Sequence, residues 1–462
     1  MTDKKRFDLK DFIKRIAVIA IPVALQNLLL TTQSIIDTMM LAPLGEKVIA
    51  SVGLCASFGS LMFSCYWGFA CGGTLFFSQH YGADDPPAIK KNFGVTLTFM
   101  MGVALLFSLV AQWNPQLVMR LYTDKESLYP VGEAYLKIIA PAYILQVYSA
   151  CVCTLLRATE RVKIPFFAGL VSTFTNIGLN YVLIYGKLSF PAMGASGAAL
   201  GTLIASVVNV AVILLLCRKS GFDMVFAVRD HFRWDKDTVR VYLSKCFPIL
   251  CNELFMGISM MIISAVLGRQ SESVIAALVV FRVIEGCIIA FFTGFSNAAS
   301  ILVGKCVGAG EIETAKARAR RLVPLCAATV AAAEIVIWLF HTPIFHSMGL
   351  SGESFEACSS MLLIFSIAAV IRMSNWIQND TFRSAGDPRY GTILEITFMY
   401  LLVLPLVYLT GIKLKSDIAV IFSMCYVDEP IRFVLMQIHM YSDKWIKPVT
   451  EKGKRSLTSG NE

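Results

Sequence analysis

Glu46-Lys47-Val48-Ile49-Ala50 recurs as Glu272-Ser273-Val274-Ile275-Ala276, a lag of 226 residues (272 − 46 = 226). The same lag links Pro22 to Pro248, Gly68-Phe69 to Gly294-Phe295, Gly82-Ala83 to Gly308-Ala309, Arg157 to Arg383, and Lys187-Leu188 to Lys413-Leu414. A fixed offset without gaps across nearly half the chain marks a duplication. Each copy carries six long apolar segments. An even number of crossings per copy makes corresponding segments run in the same direction.

The composition fixes the solvent. Hydrophobic residues make up 56% of the 462 and charged residues 16%, against about 25% charged in soluble domains. Apolar runs long enough to cross a bilayer, about 20 residues, occur twelve times. They cover 13–41, 46–80, 92–112, 131–156, 164–186, 195–217, 241–267, 273–307, 318–340, 356–381, 390–411 and 416–440. The expected fold is an all-α integral membrane protein of twelve transmembrane helices, in two six-helix lobes related by a parallel, pseudo-two-fold repeat. The first lobe spans 1–217, the charged cytoplasmic linker 218–240, the second lobe 241–440 and a cytoplasmic tail 441–462. Parallel repeats in a membrane put a substrate path at their interface and allow the halves to rock.

The net charge of +9 is unevenly spread. Thirty Lys and Arg fall on the side of the two termini, from Lys4, Lys5 and Arg6 to Lys452, Lys454 and Arg455. Seven fall opposite: Lys47, Arg120, Lys125, Lys187, Arg269, Lys413 and Lys415. The positive-inside rule places both termini in the cytoplasm of a multi-pass protein of the cell membrane. Basic charge is here a topology signal, and no nucleic-acid partner is expected. Residues 4–15 are charged and amphipathic, so no cleavable signal peptide is expected. The thirteen cysteines are scattered, and the five histidines lack a ligand spacing, so neither a metal site nor a cofactor is expected. No Gly-rich loop ending in Lys-Ser/Thr is present, which argues against ATP as the energy source.

Charges inside a bilayer tend to mark ion or substrate pathways. In the first lobe Asp37 is the clearly intramembrane acid. At 100° per residue, Gln26, Gln33 and Asp37 fall within about 40° of one another, a polar stripe that should face a cavity. Asp37 lies near the outer end of its span, as do Asn176 and Asn180 of the fifth and Thr202 of the sixth. One carboxylate with amide and hydroxyl oxygens can coordinate a hard cation, and a buried carboxylate alone can exchange a proton. The asparagines and Thr202 could instead serve only interhelical hydrogen bonds. In the second lobe Glu253, Glu285, Glu334, Asp428 and Glu429 outnumber Arg282, Arg372 and Arg432. Glu253, near mid-membrane and opposite Asn27 in the repeat, is the candidate for ion or substrate contact, with Arg282 or Arg372 as its structural alternative. Tyr143, Gln146 and Tyr148, together with Gln26 and Gln33, are candidate substrate contacts, since aromatic faces hold organic cations. Loops Gly82-Ala83-Asp84-Asp85 and Gly308-Ala309-Gly310-Glu311 read as glycine-capped helix ends.

Taken in order, several of these segments resemble one family, the multidrug and toxic compound extrusion (MATE) transporters. They are the Pro22-to-Asp37 first helix, Ser78-Gln79-His80-Tyr81-Gly82-Ala83 at the end of the second, Asn252-Glu253 in the seventh, and Arg383-Ser384-Ala385-Gly386-Asp387 between the tenth and eleventh. The resemblance covers essentially the whole chain. It implies two six-helix lobes forming a V, and export driven by an inward Na⁺ or H⁺ gradient. Two positions depart from the family pattern. Asn180 stands where members often carry Asp, and Asp380, four residues after Trp376, where many have glycine. The resulting expectation is a monomeric secondary antiporter, not an enzyme, exporting small organic cations in exchange for Na⁺ or H⁺. A lipid-linked precursor or metabolite flippase of the same superfamily is the alternative; it would favour a basic central cavity and fourteen spans.

Overall fold

The computed structural model describes residues 9–459; Lys4, Lys5 and Arg6 of the amino-terminal basic cluster lie outside them. Among the described residues every regular element is helical. Lipid explains this, because a backbone without water must satisfy its hydrogen bonds within its own segment. The first repeat comprises α1 (Leu9–Leu41), α2 (Glu46–Ala83), α3 (Pro86–Trp113), the short α4 (Pro115–Tyr122), α5 (Tyr129–Ala158), α6 (Lys163–Tyr185) and α7 (Ala195–Lys219). A one-turn helix, α8 (Val228–His231), sits in the linker. The second repeat comprises α9 (Lys236–Leu267), α10 (Glu272–Ala309), α11 (Ile312–Ser347), α12 (Glu353–Ser384), α13 (Pro388–Phe398), α14 (Leu404–Tyr408), α15 (Ile418–Met424) and α16 (Glu429–Ser442). A tail helix, α17 (Glu451–Ser459), follows.

Eleven helical segments among the described residues are long and apolar enough to cross a bilayer, including Pro388–Lys413, which runs from α13 through α14 with two π-helical stretches. The sequence reading of 416–440 as one continuous span needs correction. That segment breaks at Cys425–Asp428 into α15 and α16. Pro430 supplies no N–H donor for the preceding turn, and the Asp428 and Glu429 side chains bond Arg432 and Asn375. One of the two glycine caps also needs correction. The left-handed residue ending α2 is Asp84 (φ 59°) rather than a glycine, whereas α10 ends as read, at left-handed Gly310 (φ 80°). Gly82 and Gly308 lie inside their helices, for a different reason given below.

Each lobe has its own apolar cluster, but the first helix of each repeat crosses to the other lobe. Phe12, Ile16, Ile19, Ala20 and Val23 of α1 pack in the second lobe's core, while Tyr242 and Cys246 of α9 pack with Leu75 and Phe76 of α2. Lipid tails are as apolar as leucine, so such crossings depend on close packing rather than on the hydrophobic effect. Small residues provide it. Gly68 and Gly72 of α2, four apart, abut Leu250 and Cys246, and Gly304 and Gly308 of α10, again four apart, abut Ser78 and Gln79. A Cβ at Gly82 would lie 1.9 Å from the Lys305 carbonyl oxygen.

These contacts gather at the end of the bundle that carries both described termini. There Lys305 Nζ meets Glu160 Oε1 at 2.7 Å, Gln79 Nε2 donates to the Ser384 carbonyl at 2.8 Å, and the Val449 N–H donates to Gln79 Oε1 at 2.8 Å. The inter-lobe hydrogen bond farthest from that end, among the described residues, joins Asn27 Nδ2 to the Ala290 carbonyl at 3.4 Å. Beyond it no hydrogen bond, ion pair or buried apolar cluster among the described residues joins the lobes, a contact pattern of a V closed at the terminal end. The linker is tied to the first lobe by Lys90–Asp230 (3.2 Å) and Lys91–Asp235 (3.0 Å).

Candidate functional site

Asp37 sits one turn before the end of α1, where that helix has left α10 and packs on α6. Asn180 Nδ2 donates to Asp37 Oδ1 at 2.8 Å and lies 3.2 Å from Asn176 Oδ1. Asn176 Nδ2 donates to Thr202 Oγ1 at 3.2 Å, and Thr202 Oγ1 donates to the Ala198 carbonyl at 2.9 Å. The four residues proposed from depth alone are therefore one hydrogen-bonded chain across α1, α6 and α7. Asn176 and Asn180 are buried. The orientation of Asn180 has a local cause: a Cβ at Gly201 would lie 2.2 Å from Asn180 Oδ1. Glycine there lets the amide oxygen press against α7, which turns the Nδ2 hydrogens toward Asp37.

The polar stripe of α1 faces α6 as its periodicity requires. Thr173 Oγ1 donates to Gln33 Oε1 at 3.0 Å. Gln26 Oε1 accepts from Arg157 Nη2 at 2.8 Å, and Gln26 Nε2 donates to the Pro165 carbonyl at 3.4 Å. Tyr143 lies elsewhere, buried against Phe58 with ring centroids 6.3 Å apart and against the backbone of Gly59. Tyr148 is half-buried beside the same core, and Gln146 is half-buried on the same helix. No hydrogen bond among the described residues joins these three to the Asp37 chain.

The second lobe holds a larger charged network. Arg282 Nη1 donates to Glu285 Oε2 at 2.6 Å, and Arg372 approaches Glu285 at 3.5 Å and Glu429 at 3.9 Å. Arg432 contacts Asp428 at 3.0 Å, Glu429 at 3.4 Å and Glu395 at 3.9 Å. Asn252 and Asn379 donate to Glu395 Oε2 at 2.9 and 3.3 Å, and Asn375 donates to Glu429 Oε2 at 2.8 Å. Glu253 is joined neither to Arg282 nor to Arg372. It lies 3.7 Å from Arg383, which also approaches Asp380 at 3.5 Å, while Ser296 donates to Asp380. Glu334 accepts from Ser366 at 2.8 Å.

Six carboxylates (Glu253, Glu285, Asp380, Glu395, Asp428, Glu429) thus meet four guanidiniums, an acidic surplus in the lobe interior. Sequence reasoning missed Glu395 and placed Arg383 in a loop. The signal for Glu395 was present: a lone acid within the apolar run 390–411, the criterion that singled out Glu253. The repeat shows how the lobes diverged, since Asp428 occupies the position of Thr202 and Arg372 that of Gln146. No cluster of metal-ligating side chains occurs among the described residues.

Comparison with known proteins agrees with this geometry. Residues 22–182 and 248–409 match the MatE family model, one block in each repeat. The uncharacterized transporter YisQ of Bacillus subtilis is 23% identical over 414 residues, covering 89% of this chain and 90% of its own. The probable multidrug resistance protein YoeA of the same organism is 23% identical over 431 residues, covering 93% and 92%. Among solved structures, a mutant Vibrio cholerae MATE transporter superposes with a TM-score of 0.84 at 17% identity, over 94% of this chain and 97% of that one. An outward-facing multidrug resistance MATE transporter superposes with a TM-score of 0.79 at 18% identity, over 93% and 96%.

Proposed function

Because the chain belongs to the MatE family, we propose that it is a secondary antiporter of the cell membrane, exporting organic cations in exchange for an inward-moving H⁺ or Na⁺. The observation that carries the proposal is the Asp37–Asn180–Asn176–Thr202 chain inside the first lobe. It places one carboxylate among neutral partners, away from any ion pair among the described residues. Binding a cation at Asp37 removes the charge that Asn180 now stabilises, so the hydrogen-bonded packing of α1 on α6 and α7 differs between loaded and empty states. Such a difference is what coupling requires, since a ligand shifts an equilibrium only by its differential affinity. The amide orientation is ill suited to sodium: Asn180 presents N–H groups, not its oxygen, to Asp37, and a sodium ion would need the amide to turn over against Gly201, whereas a proton needs no such rearrangement.

Substrate is proposed to enter from the cytoplasm, where both termini lie, when the closed seam opens, and to leave through the V. The acidic surplus of the second lobe supports cationic cargo, and weighs against a diphosphate-carrying flippase. Accumulation of ethidium in cells lacking their own efflux pumps tests the proposal. Expression of the wild type should lower accumulation, Asp37→Asn should restore it at equal membrane abundance, and full efflux by the variant would sink the role given to Asp37.

A further inference from the structure

A groove of about 950 Å³ opens on the flank of the second lobe, between the first half of α9 and the start of α13. Its mouth carries Lys236, Arg240 and Arg389, and its wall carries Leu243, Phe247 and Ile393. All three cations are exposed, and none has an ion pair among the described residues. Of the neighbouring acids, Asp235 binds Lys91 and Asp387 binds Lys447 and His439, while Asp237 lies exposed in the first turn of α9 and forms no ion pair with any of the three cations. Phe247 and Ile393 are 65% and 62% exposed, although they lie on helices that cross the bilayer. At about 1.5 Å per residue, Phe247 sits roughly 16 Å along α9 from Lys236. The groove is therefore cationic at the membrane boundary and apolar at the depth of acyl chains, with Trp234 at the rim, where tryptophan concentrates.

The duplication supplies an independent observation. Stepping back 226 residues turns Lys236, Arg240 and Arg389 into Lys10, Lys14 and Lys163, and Phe247 and Ile393 into Ile21 and Phe167. Ile21 and Phe167 are also exposed. Positive-inside bias requires basic residues on this side of the membrane but not the same triad, on the same two helices, above the same apolar pair, in both repeats.

We infer that the groove between α9 and α13 is a binding site for an anionic phospholipid, with the phosphodiester held by Lys236, Arg240 and Arg389 and an acyl chain lying along Phe247 and Ile393. Basic pockets between membrane helices take lipid headgroups by this chemistry. The site stands apart from the transport reading, and its test involves no transport.

The test is native mass spectrometry of the full chain in detergent, titrated with phosphatidylglycerol or, separately, phosphatidylethanolamine. The wild type should retain phosphatidylglycerol preferentially. In K236A/R240A/R389A one fewer should be retained at a given concentration. Recovering it should take roughly a hundredfold more lipid, since each interfacial cation contributes roughly fivefold. R389Q, a single exposed change, should show about one such fivefold step, and a thermal unfolding midpoint unchanged in either variant establishes that the fold is intact. R218A/K219A/R229A, which removes equal charge from the linker region, should retain lipid as the wild type does. Equal retention of both lipids by the wild type, or equal loss in the linker variant, would overturn the site. Displacement of phosphatidylglycerol by inorganic phosphate would overturn its assignment to lipid.

Discussion

Replacing Gly308 by alanine should open the closed end of the V. The new Cβ would lie 1.9 Å from the Gln79 carbonyl oxygen and 2.4 Å from Gln79 C and Cα, where ordinary contact begins at 3.4 Å. The obstacle is backbone, so no rotamer change relieves it, and α2 and α10 must separate by about 1.5 Å (3.4 − 1.9). Two bonds depend on that approach: Gln79 to the Ser384 carbonyl and the Val449 N–H to Gln79, each 2.8 Å. Overpacking of about 1–3 kcal/mol, with net hydrogen-bond losses of about 1 kcal/mol each where they break, puts the penalty on the closed seam at about 2–4 kcal/mol. That corresponds to a roughly thirty- to thousandfold shift toward the open seam. Cys246 reports it, being fully buried where α9 crosses α2. Alkylation by N-ethylmaleimide, followed peptide by peptide, should label Cys246 at least about tenfold faster in Gly308→Ala. Gly102→Ala, where a Cβ meets nothing within 4 Å, should label at the wild-type rate. A folded Gly308→Ala protein with unaltered Cys246 labelling would refute the close crossing and the closed seam with it.

Other consequences follow from the same contacts. Arg432→Met strands Asp428, Glu429 and Glu395 without their shared guanidinium; breaking a buried ion cluster costs about 3–5 kcal/mol. Its thermal midpoint in detergent should fall well below wild type, and an unchanged midpoint would mean the network is not a stabilising unit. Gly201→Ala should drive Asn180 away from Asp37 without altering any residue of the chain, so gradient-driven efflux should fall while abundance and folding persist; normal efflux would detach Asn180 from coupling. Asp387, between the spans, is buried, which alone would raise its carboxyl, but hydrogen bonds from His439 and Lys447 and their charges outweigh burial and hold it below its usual 3.8. A depressed carboxyl contributes stability that is present above the ordinary value and lost as pH falls through the folded value. The difference in unfolding midpoint between wild type and Asp387→Asn should therefore be largest near about pH 7 and shrink from about pH 4 downward; a pH-independent difference would contradict the pairing.

The repeat made the architecture legible, because an ungapped lag preserves helix order and direction. It carried the lobe organisation, but not the role of Gly82 and Gly308, whose place at the close contact of α2 with α10 emerges only from the packing. Spacing along single helices also found the Asp37 chain, since depth and angle suffice when each helix contributes one or two polar residues. The second lobe was harder. Which acid meets which arginine depends on how α10, α12, α13 and α16 are arranged around one another, and that arrangement is not written in any one segment. Glu253 found Arg383 rather than Arg282 or Arg372 because Arg383 lies in the last turn of α12, facing inward. The break in 416–440 was equally hidden: Pro430 announces a kink, but only the inward pull of Asp428 and Glu429 on Arg432 explains a full interruption.

Reconstituted transport is the most direct test. Purified protein in liposomes, loaded with a fluorescent organic cation, would be given an inward proton gradient and, separately, an inward sodium gradient, with Asp37→Asn alongside. The account predicts acceleration by the proton gradient that vanishes in the variant. Acceleration that survives in Asp37→Asn, or no response to either gradient, would contradict the assignment of coupling to the α1–α6–α7 chain.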